Sequence, residues 1–129
     1  MSEQTGTFYA VSVGPGDPEL LTLQAVRVLE NTPVIAAPQT ASGQMLALDI
    51  ARGAVDLTGK SVLPLRFTMS HDAAVRAKSY RAAASAVEAE LRQGRDVAMV
   101  NLGDVALFAT AYYIFAEIER DGFPARMLP

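Results

Sequence analysis

Cysteine is absent from the 129 residues, which removes disulfides, thiolate nucleophiles and Cys-ligated zinc or iron–sulfur centres from consideration. Histidine is almost absent: His71 stands alone and cannot build a metal site unaided. No apolar run reaches the roughly 18 residues a membrane span needs. Residues 1–6 are polar, without the basic-then-apolar order of a secretory signal. The expectation is a soluble, cytoplasmic protein. A surplus of positive charge is also missing. The formal net charge of -3 provides no general basic field, which argues against nucleic acid as the partner. No triad, carboxylate dyad or metal cluster is legible either, so the chemistry must lie elsewhere.

What is present is a 50% hydrophobic composition, ample for the core of one α/β domain covering residues 1–129. Residues 8–13 form a short apolar, β-prone run that stops at Gly14-Pro15-Gly16. Pro18 suits the first turn of a helix, in which Leu20, Leu21, Leu23, Val26, Val28 and Leu29 cover much of the circumference before Asn31-Thr32-Pro33 ends it. A strand over 34–37, an irregular stretch over 38–43, a short helix over 44–52 and a strand over 61–65 follow. An alanine-rich helix spans 72–93, with Ser70 or Asp72 as N-cap, Gly94 just past its end and charges that read as a solvated face. Residues 97–100 are wholly apolar, as in a central parallel strand buried on both faces. A loop over 101–104, a helix over 107–121 and the start of a strand over 126–128 complete the pattern. Alternating strands and helices imply a mostly parallel sheet flanked by helices, with ligands at the carboxyl ends of the strands. Because the sequence stops just after that last strand begins, a larger protein divided near a domain boundary is expected.

The most distinctive segment is Val13-Gly14-Pro15-Gly16-Asp17-Pro18-Glu19-Leu20-Leu21-Thr22. Its glycines allow a tight turn and close backbone approach to a ligand, and Asp17 is placed to cap the next turn or orient a bound group. It has neither the Lys-Ser/Thr of a phosphate-binding loop nor G-x-G-x-x-G spacing, so the usual nucleotide readings fail. A purely structural βα turn explains the same residues equally well.

These ten residues resemble the opening GPGDP-x-LLT loop of the tetrapyrrole methyltransferases. A second signature of that family, a Gly-Asp loop after a later buried strand, is matched in place and order by Asn101-Leu102-Gly103-Asp104. The family's usual proline after the aspartate is Val105 here. The likeness covers nearly the whole chain. It implies the N-terminal domain of a two-domain fold in which S-adenosylmethionine lies in the cleft between the domains, with the C-terminal domain absent from this sequence. Within the family, Val34-Ile35-Ala36-Ala37-Pro38, Leu63-Pro64-Leu65-Arg66-Phe67-Thr68-Met69 and Gly103-Asp104-Val105-Ala106-Leu107-Phe108 resemble the branch that methylates precorrin-2 at C(20). Relatives acting on uroporphyrinogen III carry a Tyr-Asp pair after the second strand, where Ala37-Pro38 stands here.

Carried over by position, the resemblance gives Pro15, Leu102, Gly103, Asp104 and Leu107 as cofactor contacts, and Gly14, Gly16 and Asp17 as the adjoining substrate edge. Leu107 is as readily a core leucine, and Asp104 a helix N-cap. His71 reads as a solvated residue at a helix start, and Phe67 and Met69 as packing residues. Arg66, Arg76 and Arg81 are candidates for bidentate contact with substrate carboxylates.

The activity implied is methyl transfer from S-adenosylmethionine to C(20) of precorrin-2 or its cobalt form, in a homodimer. The electron-rich macrocycle is the nucleophile, and alignment rather than acid–base machinery provides the acceleration. Two other readings remain open. One is a different member of the family, acting on another precorrin, on diphthine or on ribosomal RNA. The other is a non-catalytic binding or assembly domain holding half a cleft.

Overall fold

The computed structural model describes residues 4–67, 71–103 and 105–128, with only the backbone described for 105–109. Its strands are β1 (Phe8–Ser12), β2 (Val34–Gln39), β3 (Ser61–Arg66), β4 (Val97–Asn101) and β5 (Ala125–Leu128), and its helices are α1 (Leu23–Asn31), α2 (Leu46–Ala54), α3 (Ala73–Arg92) and α4 (Val105–Arg120). Among the described residues the strands make one sheet in the order β3-β2-β4-β1-β5, parallel at every junction. This is the α/β architecture expected from the alternation of elements.

Strand periodicity divides the core into two layers. Val11, Val13, Ile35, Ala37, Ala98 and Val100 face α1 and α2, while Phe8, Ala10, Val34, Ala36, Val97 and Met99 face α3 and α4. β4 is buried along its whole length, which accounts for its unbroken apolar sequence. The central strand also marks where the chain changes sides. β1 and β2 lead to helices on one face, whereas β4, lying between them, leads to α4 on the other. Crevices at the carboxyl ends of a parallel sheet arise at such reversals.

Three expectations change. The first helix begins at Leu23, not at Pro18, because Thr22 Oγ1 accepts from the Ala25 N–H at 3.0 Å and caps it there. Pro18–Leu20 is instead a separate 3₁₀ turn, capped by Asp17 Oδ1 accepting from the Glu19 N–H at 2.9 Å. Only Ala25 and Leu29 of α1 are fully buried, so its apolar face is narrower than the sequence suggested. Secondly, β2 runs on to Gln39 instead of ending at Ala37. Its pairing with β4 stops at Ala36↔Met99, but pairing with the edge strand β3 continues to Gln39↔Arg66. Pro38 is tolerated there, beyond the last pairing with β4.

Thirdly, the charges of α3 are more than a solvated face. Asp72 caps the helix through Oδ1, which accepts from the N–H groups of Ala74 and Val75. Farther along, Arg81 donates from Nη1 to Glu117 Oε2 at 2.6 Å and Asp121 Oδ2 at 2.7 Å, and from Nη2 to Glu88 Oε1 at 2.8 Å. One guanidinium thus ties α3 to the end of α4. Arg81 is thereby committed to internal carboxylates instead of being offered to a substrate. Glu88 is buried, its Oε2 has no hydrogen-bond partner among the described residues, and Arg92 Nη2 stands 3.6 Å from Oε1. Burial, reinforced by hydrogen bonding with Asp121, raises the Glu88 carboxyl above its ordinary value despite the opposing pull of Arg81. The Asp121 carboxyl is lowered in turn by its hydrogen bonds with Glu88 and Arg81.

Because Glu88 holds its proton more tightly folded than unfolded, its contribution is complete below the unfolded carboxyl value and is lost as pH rises through the folded one. Glu88→Gln removes that titration while preserving an acceptor for Arg81. Its stability relative to the parent is expected to improve as pH rises from 4 to 8, as measured by urea unfolding across that range. A steady or falling difference would show that the Arg81 ion pair dominates. The buried Gly6 supplies a second expectation. A Cβ there would lie 1.9 Å from the Arg95 carbonyl oxygen, while the Gly6 N–H donates to Leu91 O at 2.8 Å. With backbone on both sides, Gly6→Ala should cost about 3 kcal/mol in the same unfolding measurement.

Candidate functional site

The two glycine-containing loops meet at the carboxyl edge of the sheet. β1 and β4 pair in register through Ser12↔Asn101, and the pairing continues beyond the strands: the Val13 N–H donates to Asn101 O at 2.8 Å, and the Gly103 N–H donates to Gly14 O at 3.0 Å. The Gly14 N–H donates to Ser12 Oγ at 3.2 Å, drawing the loop back onto its own strand. Asn101 is buried and donates from Nδ2 to Met99 O at 3.0 Å, which fixes the end of β4.

The glycines of the two loops differ in what their backbone and surroundings demand. Gly14 has φ +75, in the left-handed region where a side chain is strained. A Cβ on Gly103 would come 3.4 Å from Gly14 C and 3.6 Å from its Cα, so the loops touch backbone to backbone. Gly16, by contrast, is open: a Cβ there would meet nothing within 4 Å among the described residues. Pro15, Gly16 and Asp17 are exposed, and so is Gly103. The result is a cradle of main chain, closed beneath by the β1–β4 junction and open above.

Of the residues singled out from sequence, Gly14, Pro15, Gly16, Asp17, Leu102 and Gly103 are brought to this edge. Leu102 is partly buried against the α1/α2 core layer, so it anchors its loop as well as lining it. Asp17 uses Oδ1 to cap the 3₁₀ turn. Asp104 lies outside the described residues. Leu107 belongs to the first turns of α4, where only the backbone is described.

The other candidates lie apart from the cradle. Arg66 donates from Nε to Gln39 Oε1 at 3.3 Å, joining the ends of β3 and β2. Arg76 borders a 260 Å³ surface hollow between α3 and α4 with Tyr80, Tyr113 and Glu117. Phe67 packs into the α3/α4 core layer, its ring 6.1 Å from that of Tyr80, as a packing residue should. His71 is exposed before α3, and Met69 lies outside the described residues. Among the described residues no group of three or more His, Asp or Glu side chains is arranged to hold a metal ion.

Sequence reasoning missed two contributors. Ser12, the last residue of β1, gave no sign that its hydroxyl accepts from the glycine loop; a Ser two residues before a glycine turn was the available signal. It also missed an apolar rim beside the cradle. Leu20, the last residue of the 3₁₀ turn, remains 57% exposed, and Leu23 and Leu46, the first residues of α1 and α2, remain 73% and 57% exposed. The spacing of Leu20 and Leu23 resembled that of core residues, and only the late start of α1 reveals them as surface.

Comparison with known proteins agrees with this arrangement. A family model described as Tetrapyrrole (Corrin/Porphyrin) Methylases matches residues 7–129. A cobalt-precorrin-2 C(20)-methyltransferase of Salmonella typhimurium is 36% identical over 116 residues, covering 88% of this chain and 48% of that protein. A probable cobalt-precorrin-2 C(20)-methyltransferase of Methanocaldococcus jannaschii is 33% identical over 123 residues, covering 95% of this chain and 51% of that protein. Among solved structures, uroporphyrin-III C-methyl transferase from Thermus thermophilus complexed with S-adenyl homocysteine superposes with a TM-score of 0.64 at 23% identity, over 96% of this chain and 44% of that one. The chain spans about half the length of the relatives it matches. With its parallel sheet, its paired glycine loops and a family match over nearly every residue, the chain belongs to the tetrapyrrole methylase family.

Proposed function

We propose that this chain provides one wall of the active site of an S-adenosylmethionine-dependent enzyme that methylates precorrin-2, or its cobalt form, at C(20) in cobalamin biosynthesis. The observation that carries the reading is the joint between Gly103 N–H and Gly14 O, which unites the two signature loops into one backbone cradle. The substrate follows the names of the two relatives at 33–36% identity. The proposal includes a second domain opposite the cradle, supported by the half-length coverage of those relatives and by the exposed rim of Leu20, Leu23 and Leu46. A cytoplasmic setting and a homodimer belong to the same reading and rest on the family resemblance alone.

The residues present fit the methyl donor. Beside Gly16, where a Cβ would meet no described residue within 4 Å, a bulky group can come close to main chain, and Gly103 is exposed at the joined loop. When bound, S-adenosylmethionine supplies an already activated methyl group. Pro15, Leu102 and Gly103 would hold it, with Asp104 and Leu107 as further contacts from the same loop and helix. Gly14, Gly16 and Asp17 would form the adjoining edge for the macrocycle. This chain's part is to orient both partners and, through its apolar rim, to exclude water once the cleft is covered. Orientation and desolvation are sufficient tasks for a wall of backbone, since the macrocycle brings its own nucleophilic carbon.

The test is transfer of labelled methyl groups to precorrin-2, cobalt-precorrin-2 and, for comparison, uroporphyrinogen III by this chain joined to the second domain of its relatives, with the methylated carbon located by NMR. Methylation at C(20) is expected. Transfer to another carbon, or only to uroporphyrinogen III, would overturn the substrate assignment. In the same protein, Gly103→Ala places a methyl group 3.4 Å from Gly14 C, at the joint between the two loops. It should lower kcat/KM about tenfold, equivalent to about 1.4 kcal/mol, while changing the thermal midpoint little.

A further inference from the structure

Gly53 lies near the end of α2, where nothing in the backbone calls for glycine: unlike Gly14 it has no positive φ. Glycine weakens a helix relative to alanine, so its presence there needs another cause. The cause lies across the contact with the loop after β1. A Cβ on Gly53 would fall 2.6 Å from Pro18 Cγ and 3.0 Å from Pro18 Cβ. A proline ring cannot fold away as a flexible side chain can, so either the helix or the turn would have to move.

Pro18 begins a short, tightly connected path to the cradle. It opens the 3₁₀ turn whose Leu20 N–H donates to Asp17 O at 2.9 Å, while Asp17 Oδ1 accepts from Glu19 N–H. Leu20 Cβ then stands 3.5 Å from the position a Cβ on Gly14 would take, and Gly14 O accepts from Gly103. The helix is the firmer partner, because Ala47, Leu48, Ile50 and Ala51 are buried in the α1/α2 core layer. Pushing at Gly53 therefore moves the turn, and the turn carries the loop.

We propose that Gly53 is a positioning residue: by leaving room for the Pro18 ring it seats the Gly14–Asp17 loop against Gly103, so the cradle depends on a residue outside both signature loops. The inference rests on the proposed cofactor site for its effect on binding, but its claim about the loop concerns the unliganded chain.

The test compares Gly53→Ala, Pro18→Ala and the double variant in the full chain, by two measurements. The first is the position of the Gly14, Gly16 and Gly103 amide resonances in the ¹⁵N–¹H spectrum without ligand. The second is calorimetric affinity for S-adenosylhomocysteine, measured on the parent and the same variants joined to the second domain of their relatives. Gly53→Ala should shift the Gly14 and Gly103 resonances and weaken binding about tenfold, without lowering the thermal midpoint. The double variant, in which the obstructing ring is gone, should return resonances and affinity most of the way to the parent. A general structural defect would lower the midpoint and would not be relieved by removing Pro18. Unmoved Gly14 and Gly103 amides in Gly53→Ala would overturn the proposal. If that variant does not fold, a double variant that also fails to fold or retains displaced amides overturns it, and one with parental amides supports it. Absence of S-adenosylhomocysteine binding by the parent would count against the cofactor reading, and the amide positions would still decide the role of Gly53.

Discussion

The parallel pairing of β1 with β4 does not stop where the strands end, and the candidate site depends on that continuation. Val13 N–H reaches Asn101 O, and Gly103 N–H reaches Gly14 O, carrying the hydrogen-bonded ladder into two loops that lead to opposite faces of the sheet. Loops that diverge this way would ordinarily leave their backbone groups to solvent. Here they hold each other so closely that a Cβ on Gly103 would touch the Gly14 backbone at 3.4 Å. The surface so formed is main chain, with its dipoles fixed by the sheet beneath and needing little reorganisation when a ligand arrives.

The same sheet imposes different duties on its two faces. Toward α1 and α2 the core is apolar, the turn after β1 sets Leu20 against Gly14 and Pro18 against α2, and Leu23 and Leu46 stay exposed at the starts of α1 and α2. Toward α3 and α4 it includes the Arg81 network, with Glu88 buried beneath it. That network lies near the end of α4 remote from its loop: Glu117 and Asp121 belong to its last turn and to the residue just beyond it, whereas Gly103 precedes its first. Arg81 therefore secures the C-terminal part of the helix, while the β4 pairing secures the loop leading into it. A buried carboxyl paired with one guanidinium is a weak source of stability, since desolvation offsets much of the attraction. Its geometric effect is clearer, because three carboxylates converging on one cation restrict how α3 and α4 can slide past each other.

Much of the fold was legible because the relevant signals are local. Asp72 and Gly94 bracket α3, and the apolar run of β4 announces a strand buried on both faces. The misjudged places depend on partners far away in sequence. β2 extends through Pro38 because β3 is still beside it after β4 has parted, a fact invisible in residues 34–39 themselves. Leu20 and Leu23 fit a helical stripe, yet the Thr22 cap restarts the helix and turns them outward. Glu88 sits among charges that look uniformly solvated on paper, and only the approach of α4 buries it. The site was legible through its two glycine motifs. Ser12 and Gly53, which support the first of them, lie outside the motif; the place of Ser12 two residues before Gly14 is a faint signal, and the contact of Gly53 with Pro18 is one that no spacing reveals.

A site made of backbone also explains why side-chain chemistry gave so little guidance. Catalytic bases, nucleophiles and metal ligands advertise themselves by residue type, but a cradle of carbonyls and amides is written only in where glycine is permitted. Such a wall can position a ligand without enclosing it. The exposed leucines at its edge are costly to leave in water, whereas covering them would remove apolar surface and exclude solvent from the reacting groups together. The cradle is thus suited to alignment, and the apolar rim to being covered. A reaction that needs a nucleophile and an activated methyl group held together in the absence of water makes those same two demands.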